Sequence, residues 1–260
     1  MKKPTQVEIL EQRKKRAGVI ARAGGVKAAC QNGSLPQIID LSLSEALVLG
    51  LITQGVKIYY TVFGHGSTEI GEVLRVYEEA GLVRVYGLRS EIEASHAAAA
   101  LRWATGEKAA VVTSIGPGAL QALAASLVPA SDGLGVWYLF GDETTEDEGY
   151  NMQQIPRHEQ GGFLRMMSGM GRAYSLHTPY ALPSALRAGA ATVDHPWRPG
   201  PFFLLMPMNT QAAWMEGFNL REISTATPIP LTAAGGDYQV AARAIRSAKR
   251  VLIKAGGGAV

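Results

Sequence analysis

Four apolar runs constrain this chain more than any other feature: residues 57–63 (KIYYTVF), 109–113, 135–140 and 201–207 (PFFLLMP). Each is continuously apolar instead of alternating, so both faces of each strand must be covered. Helical stretches lie between them: one from the Ser42-Leu43-Ser44-Glu45 capping box to about Gln54, then 67–80 before Gly81, 91–104, 119–127 and 180–192. A short strand is predicted at 83–86. Strands buried on both sides and alternating with helices predict an α/β fold, an open, mostly parallel sheet with helices on both faces. Ligands of such sheets sit beyond the carboxyl ends of the strands. That edge carries Gly64-His65-Gly66, Glu91, Gly116-Pro117-Gly118 and Gly141-Asp142.

The 260 residues are 47% hydrophobic, enough for a full core. Net charge is only +3, too small an excess to argue for nucleic acid. Most of the imbalance precedes residue 31, where Arg13, Lys14, Lys15, Arg16, Arg22 and Lys27 stand against Glu8 and Glu11. That pattern is read as a solvated basic helix or arm. Cys30 is the only cysteine, which excludes an internal disulfide and suits a cytoplasmic location. No apolar run reaches the ~18–20 residues of a membrane span, and the basic N-terminus lacks the apolar segment of a signal peptide.

Four segments are expected: a basic helix or arm at 1–40, the main α/β domain at 41–212, a linker at 213–236, and the start of a second α/β domain at 237–260. The last should hold a helix at 238–248 and a strand at 251–255, ending in Gly256-Gly257-Gly258. Asp142, Glu143, Glu146, Asp147 and Glu148 crowd five acids into seven residues, read as an exposed loop and not a metal site. Residues 151–170 hold four methionines and read as a loop lining a cleft.

The local chemistry is open at each candidate residue. Glu91 begins an Ala-rich helix, where any acid gains a few tenths of a kcal/mol from about half a charge at the helix terminus; it is also placed to meet a ligand. Gly116-Pro117-Gly118 is either a tight strand-to-helix connection or a turn that lets a ligand approach the backbone. Thr113 and Ser114 have hydroxyls at the strand end, and Gln121 lies in the first turn of the next helix. His65 is a general acid–base candidate or a structural histidine. Ala94 and Ala97 to Ala100 leave the helix nearly free of bulk, which permits close approach of another backbone or subunit.

In this order and spacing, Phe63-Gly64, Glu91, Ala104-Thr105-Gly106, Thr113-Ser114-Ile115-Gly116-Pro117-Gly118, Gly141-Asp142 and the run from Gly200-Pro201 to Pro207 resemble the N-terminal, pyrimidine-binding domain of thiamine diphosphate enzymes of the acetolactate synthase and 2-oxoacid decarboxylase superfamily. The resemblance covers roughly 41–211 and resumes near Tyr238. The versions Phe-Gly-His-Gly, Ser-Ile-Gly-Pro-Gly and Phe-Gly-Asp most resemble the inositol-catabolic branch, which hydrolyses a cyclic 1,2-diketone. The resemblance implies that Glu91 hydrogen-bonds N1′ of the aminopyrimidine and favours its imino tautomer. It implies that Gly64, Gly66, Thr113, Ser114, Gly116, Pro117, Gly118 and Gln121 line the cofactor, with His65 beside Glu91 as a catalytic candidate. Ser90 stands where the family carries His or Asn.

The family's Gly-Asp-Gly motif with its later Asn, which holds the diphosphate and Mg²⁺, has no match here; Ser131-Asp132-Gly133 is misplaced and lacks the Asn. The diphosphate and Mg²⁺ are therefore expected on a partner subunit or a missing C-terminal domain, in a homo- or hetero-oligomer acting on a small carbonyl substrate. Acetolactate synthase-like chemistry, 2-oxoacid decarboxylation and a non-catalytic regulatory subunit are the alternatives to diketone hydrolysis.

Overall fold

The computed structural model describes residues 4–146, 152–155, 157–225 and 238–254. They divide into two units, Met1–Ala226 and Thr227–Val260. The first contains α1 (Gln6–Ala23), α2 (Val26–Gln31), β1 (Ile38–Ser42), α3 (Leu43–Thr53), β2 (Val56–Val62), α4 (Thr68–Glu79), β3 (Arg84–Gly87), α5 (Glu91–Thr105), β4 (Lys108–Thr113), α6 (Pro117–Ala125) and α7 (Leu127–Asp132). It continues with β5 (Val136–Asp142), α8 (Gly162–Met167), β6 (Arg172–Ser175), α9 (Leu182–Val193), β7 (Pro201–Pro207), α10 (Met208–Gln211) and β8 (Trp214–Asn219).

Six strands form one sheet in the order β3-β2-β4-β5-β7-β6, and every neighbouring pair is parallel. Side chains alternate between its faces. Ala110, Val112, Trp137, Leu139, Phe202 and Leu204 meet α3, α4 and α9 on one side. Ala109, Val111, Val136, Tyr138, Phe203 and Leu205 meet α5, α6 and α8 on the other. This two-sided burial is why the strands read as unbroken apolar runs. The helices on both faces make it the open α/β architecture expected.

Several expectations are corrected. The basic N-terminal segment is no solvated arm: α1 turns Ile9, Arg13, Ala17 and Ile20 inward. Arg16 grips the fully buried Glu45 through two bonds of 2.9 and 2.8 Å, and the Tyr77 hydroxyl donates to the same carboxylate at 3.0 Å. Arg13 donates to Glu69 at 3.0 Å and to Ser42 Oγ at 3.2 Å. The capping box at Ser42 is therefore half made. Ser42 Oγ accepts from the Glu45 N–H, while the Glu45 side chain turns away to the arginines.

The segment read as linker opens with a strand. β8 pairs antiparallel with β1, Ile38 opposite Asn219, in a separate two-stranded ribbon. The helix expected at 119–127 is broken at Ser126 into α6 and α7. In the second unit α11 (Tyr238–Ser247) forms, but 251–254 adopt no regular structure where a strand was expected. Ala255 and the three glycines lie outside the described residues, as do Asp147 and Glu148 of the acidic run. The described part of that run is not a plain exposed loop, because Asp142 is 7% and Glu143 1% exposed.

Candidate functional site at the carboxyl edge of the sheet

Strand register builds the site. Val62 sits beside Thr113 and Thr113 beside Phe140, so β2 and β4 end level, with β5 running two residues further to Asp142. The chain leaving each strand therefore arrives at one place. The Ser114 hydroxyl donates to the His65 carbonyl at 3.0 Å, and the Ile115 N–H donates to the same carbonyl at 3.2 Å. A Cβ on Gly66 would lie 2.9 Å from Ile115 Cγ2, and one on Gly141 would lie 2.6 Å from the Gly66 carbonyl. Gly66 also has φ +82°, so glycine is required there on two counts.

Glu91 is the first residue of α5, behind Ser90, whose hydroxyl accepts from the Ile92 N–H at 3.2 Å. Its carboxylate lies against the start of α6: a Cβ on Gly118 would come within 2.9 Å of Glu91 Oε1. Glu91 is half-buried between two helix N-termini, and its carboxylate makes no hydrogen bond or ion pair with any described residue. A carboxyl group left without a partner can share a proton with a ring nitrogen offered from outside. The residues present thus fit the pyrimidine end of thiamine diphosphate.

The other candidates divide by what their side chains do. Thr113 donates its hydroxyl to the Ser114 carbonyl, and Ser114 bonds to His65 and Ile115; both hydroxyls hold the turn. Gly64 abuts Ser114, with 3.1 Å between a built Cβ and Ser114 Cβ. Gly116 has φ +64° and faces the Gln154 carbonyl, which a Cβ would meet at 2.5 Å, so the 152–155 segment folds over the Gly-Pro-Gly turn. Pro117 begins α6 where its missing N–H costs nothing. His65 and Gln121 expose their side chains, Gln121 from the second turn of α6 and not the first turn expected, and neither bonds to a described residue. The small residues Ala94, Ser95, Ala98 and Ala99 face inward and let α5 lie close on the sheet. Ile92, His96, Ala100 and Trp103 remain exposed on its outer face.

Two positioning residues, Gln211 and Ser67, have no strong signature in the sequence. Gln211 donates to the carbonyls of Gly66 at 2.7 Å and Met206 at 2.9 Å, tying the glycine turn to the end of β7. Ser67 Oγ accepts from the Gly64 N–H at 3.0 Å. Asp142 forms part of the wall of a cavity of about 310 Å³, with Met152, Ile155 and Phe163 as apolar walls and Arg157 and the Arg165–Glu159 pair among its polar groups. Burial pushes the Asp142 carboxyl up to about 6; the Glu143 N–H bonded to it opposes this and the Glu143 charge adds to it. Among the described residues no group of three or more His, Cys, Asp or Glu could hold a metal ion, and no helix is long and apolar enough to cross a membrane.

Residues 41–162 match the family described as thiamine pyrophosphate enzyme, N-terminal TPP binding domain. The chain is 26% identical over 227 residues to the acetolactate synthase isozyme 3 large subunit of Escherichia coli K12, covering 85% of this chain and 38% of that protein. It is 27% identical over 225 residues to a probable acetolactate synthase large subunit of Methanocaldococcus jannaschii, covering 84% and 36%. The chain thus spans little more than a third of these relatives. Residues 41–162 are thus similar to a pyrimidine-binding domain of the thiamine diphosphate enzyme type, and the chain is related at low identity to acetolactate synthase large subunits. Neither relative is a diketone hydrolase, so the comparisons give the ring-cleaving branch no support.

Proposed function

We propose that residues 41–212 supply the pyrimidine side of a thiamine diphosphate site in an enzyme that makes or breaks a C–C bond beside a carbonyl, with a 2-oxo acid as substrate class. The observation that carries the proposal is the half-buried Glu91 carboxylate, unpartnered against Gly118. The acetolactate synthase relatives support the substrate class. When bound, the cofactor supplies a carbon nucleophile and an electron sink. Glu91 holds a proton against the aminopyrimidine N1′, and the missing side chain of Gly118 leaves its carboxyl group free to do so. Ser114, Ser67 and Gln211 hold the turns in register. His65 and Gln121 offer polar side chains to the substrate side. The diphosphate and Mg²⁺ are bound by another domain, on a partner chain or elsewhere in a longer protein, and the complete site forms in a homo- or hetero-oligomer.

A second reading, hydrolysis of a cyclic 1,2-diketone, draws on Asp142 and Glu143. They are buried side by side with no ion pair to a described residue, and they disfavour a carboxylate substrate beside them. One assay separates the readings. The chain is combined with a polypeptide carrying the diphosphate-binding domain, thiamine diphosphate and Mg²⁺, and turnover of pyruvate and of cyclohexane-1,2-dione is followed. Turnover of pyruvate is expected, falling at least about 100-fold in Glu91→Gln, the scale of a lost acid–base group. Unchanged turnover in Glu91→Ala would sink the mechanism. Turnover of the dione alone would move the protein to the second reading.

A further inference from the structure

A second cavity, of about 300 Å³, lies away from the carboxyl edge. Thr53, the last residue of α3, lines it, and α3 ends just before β2 begins, so the cavity sits toward the amino ends of the strands. Its apolar base is the buried trio Val26, Leu220 and Ile223. Its polar groups are Lys27 and Gln31 from α2, Gln37, and Arg221 from the 3₁₀ turn after β8. None of these four side chains makes a hydrogen bond or ion pair with a described residue. Among the described residues no aspartate or glutamate lines the cavity. Cys30 lines it too; burial pushes its thiol up while the Arg221 charge pulls it down, so the guanidinium's field reaches the sulfur.

Two unneutralised cations with two free amides over an apolar base are a recognition pattern for an anion with a short apolar body. The volume is at the small end of ligand sites. We propose that this cavity binds a small organic dianion. Lys27 and Arg221 take its acidic groups, Gln31 and Gln37 bond to its remaining oxygens, and Val26, Leu220 and Ile223 support its body. The site is separate from the coenzyme edge, so the ligand is an effector and not a substrate. By bridging α2 to the turn after β8, it stabilises the docking of the N-terminal helices by mass action.

Cys30, the only cysteine, is a built-in reporter. Its reaction with dianionic 5,5′-dithiobis(2-nitrobenzoate) is followed in the full chain with succinate, with inorganic phosphate, and with sodium chloride at matched ionic strength to account for screening. At about twice its dissociation constant, the bound anion slows the reaction roughly threefold, since the free fraction is 1/(1 + [L]/Kd). Succinate and phosphate as separate arms distinguish a dicarboxylate from a phosphate ligand. In the double variant Lys27→Gln with Arg221→Gln the protection disappears. Equal slowing by chloride, or protection that survives in the double variant, overturns the proposal. Should that variant fail to fold, calorimetry on the unaltered chain decides. Saturable 1:1 heat with succinate or phosphate, but not with uncharged succinamide, supports the site; no saturable heat with either anion overturns it.

Discussion

At the residue scale, Glu91 and Gly118 act as one unit: the carboxylate occupies the space a side chain at 118 would need. Gly118→Ala is expected to push Glu91 aside, lowering turnover of the completed enzyme at least about tenfold, as a misplaced catalytic group does, while stability falls by less than the roughly 1–3 kcal/mol of overpacking in a closed core. Steady-state kinetics beside urea unfolding separates the two effects. Asp142 makes a pH prediction. Its carboxyl is raised from 3.8 to about 6 in the fold, so between those values the native state binds more protons than the unfolded one and stability falls as pH rises. Asn imitates the neutral acid. Asp142→Asn should therefore be near neutral at pH 4 and stabilising by up to about 3 kcal/mol above pH 6.5, two units at about 1.4 kcal/mol each. Urea unfolding at the two pH values checks it; equal effects at both would refute it.

At the element scale, α1 behaves as part of the main unit. The salt bridge from Arg16 ends on a carboxylate with no exposure, and truncating Arg16 leaves that buried charge only Arg13 at 3.7 Å and the Tyr77 hydroxyl. Arg16→Ala should destabilise the main unit by about 3–5 kcal/mol, read from the urea midpoint and from proteolysis within 6–23. A loss below 1 kcal/mol would mean the pair is effectively solvated. The sequence of α1 concealed this, because a basic helix with arginines facing a buried acid reads like a basic helix facing water. Glu45 misled in the same way. Its spacing from Ser42 is that of a capping box, and only the approach of Arg16 and Tyr77 draws its side chain elsewhere. The β1–β8 ribbon was hidden because its partners are 172 residues or more apart in sequence and β8 carries Glu216 and Gly217 between apolar neighbours.

At the scale of the whole molecule, the parallel sheet and the glycine turns at its carboxyl edge were legible. Strands buried on both faces leave continuous apolar runs, and the glycine turns after them mark the candidate edge. Glu91 stood out through the order of motifs around it, since a first-turn acid has no local signature of its own. The chemistry of completion belongs at this scale too. Glu91 is partly exposed, and Ile92 and Trp103 on the same helix are exposed, so the proposed site needs a second surface to exclude water. Local periodicity and turn chemistry were enough for element type, strand burial and the position of the candidate edge, because these depend on near neighbours in the chain. Folding alone decided which charges are buried, which hydroxyls are occupied within the turn and which carboxylate is left without a partner. Each of those depends on a residue brought in from far along the chain: Arg16 to Glu45, His65 to Ser114, Gly118 to Glu91.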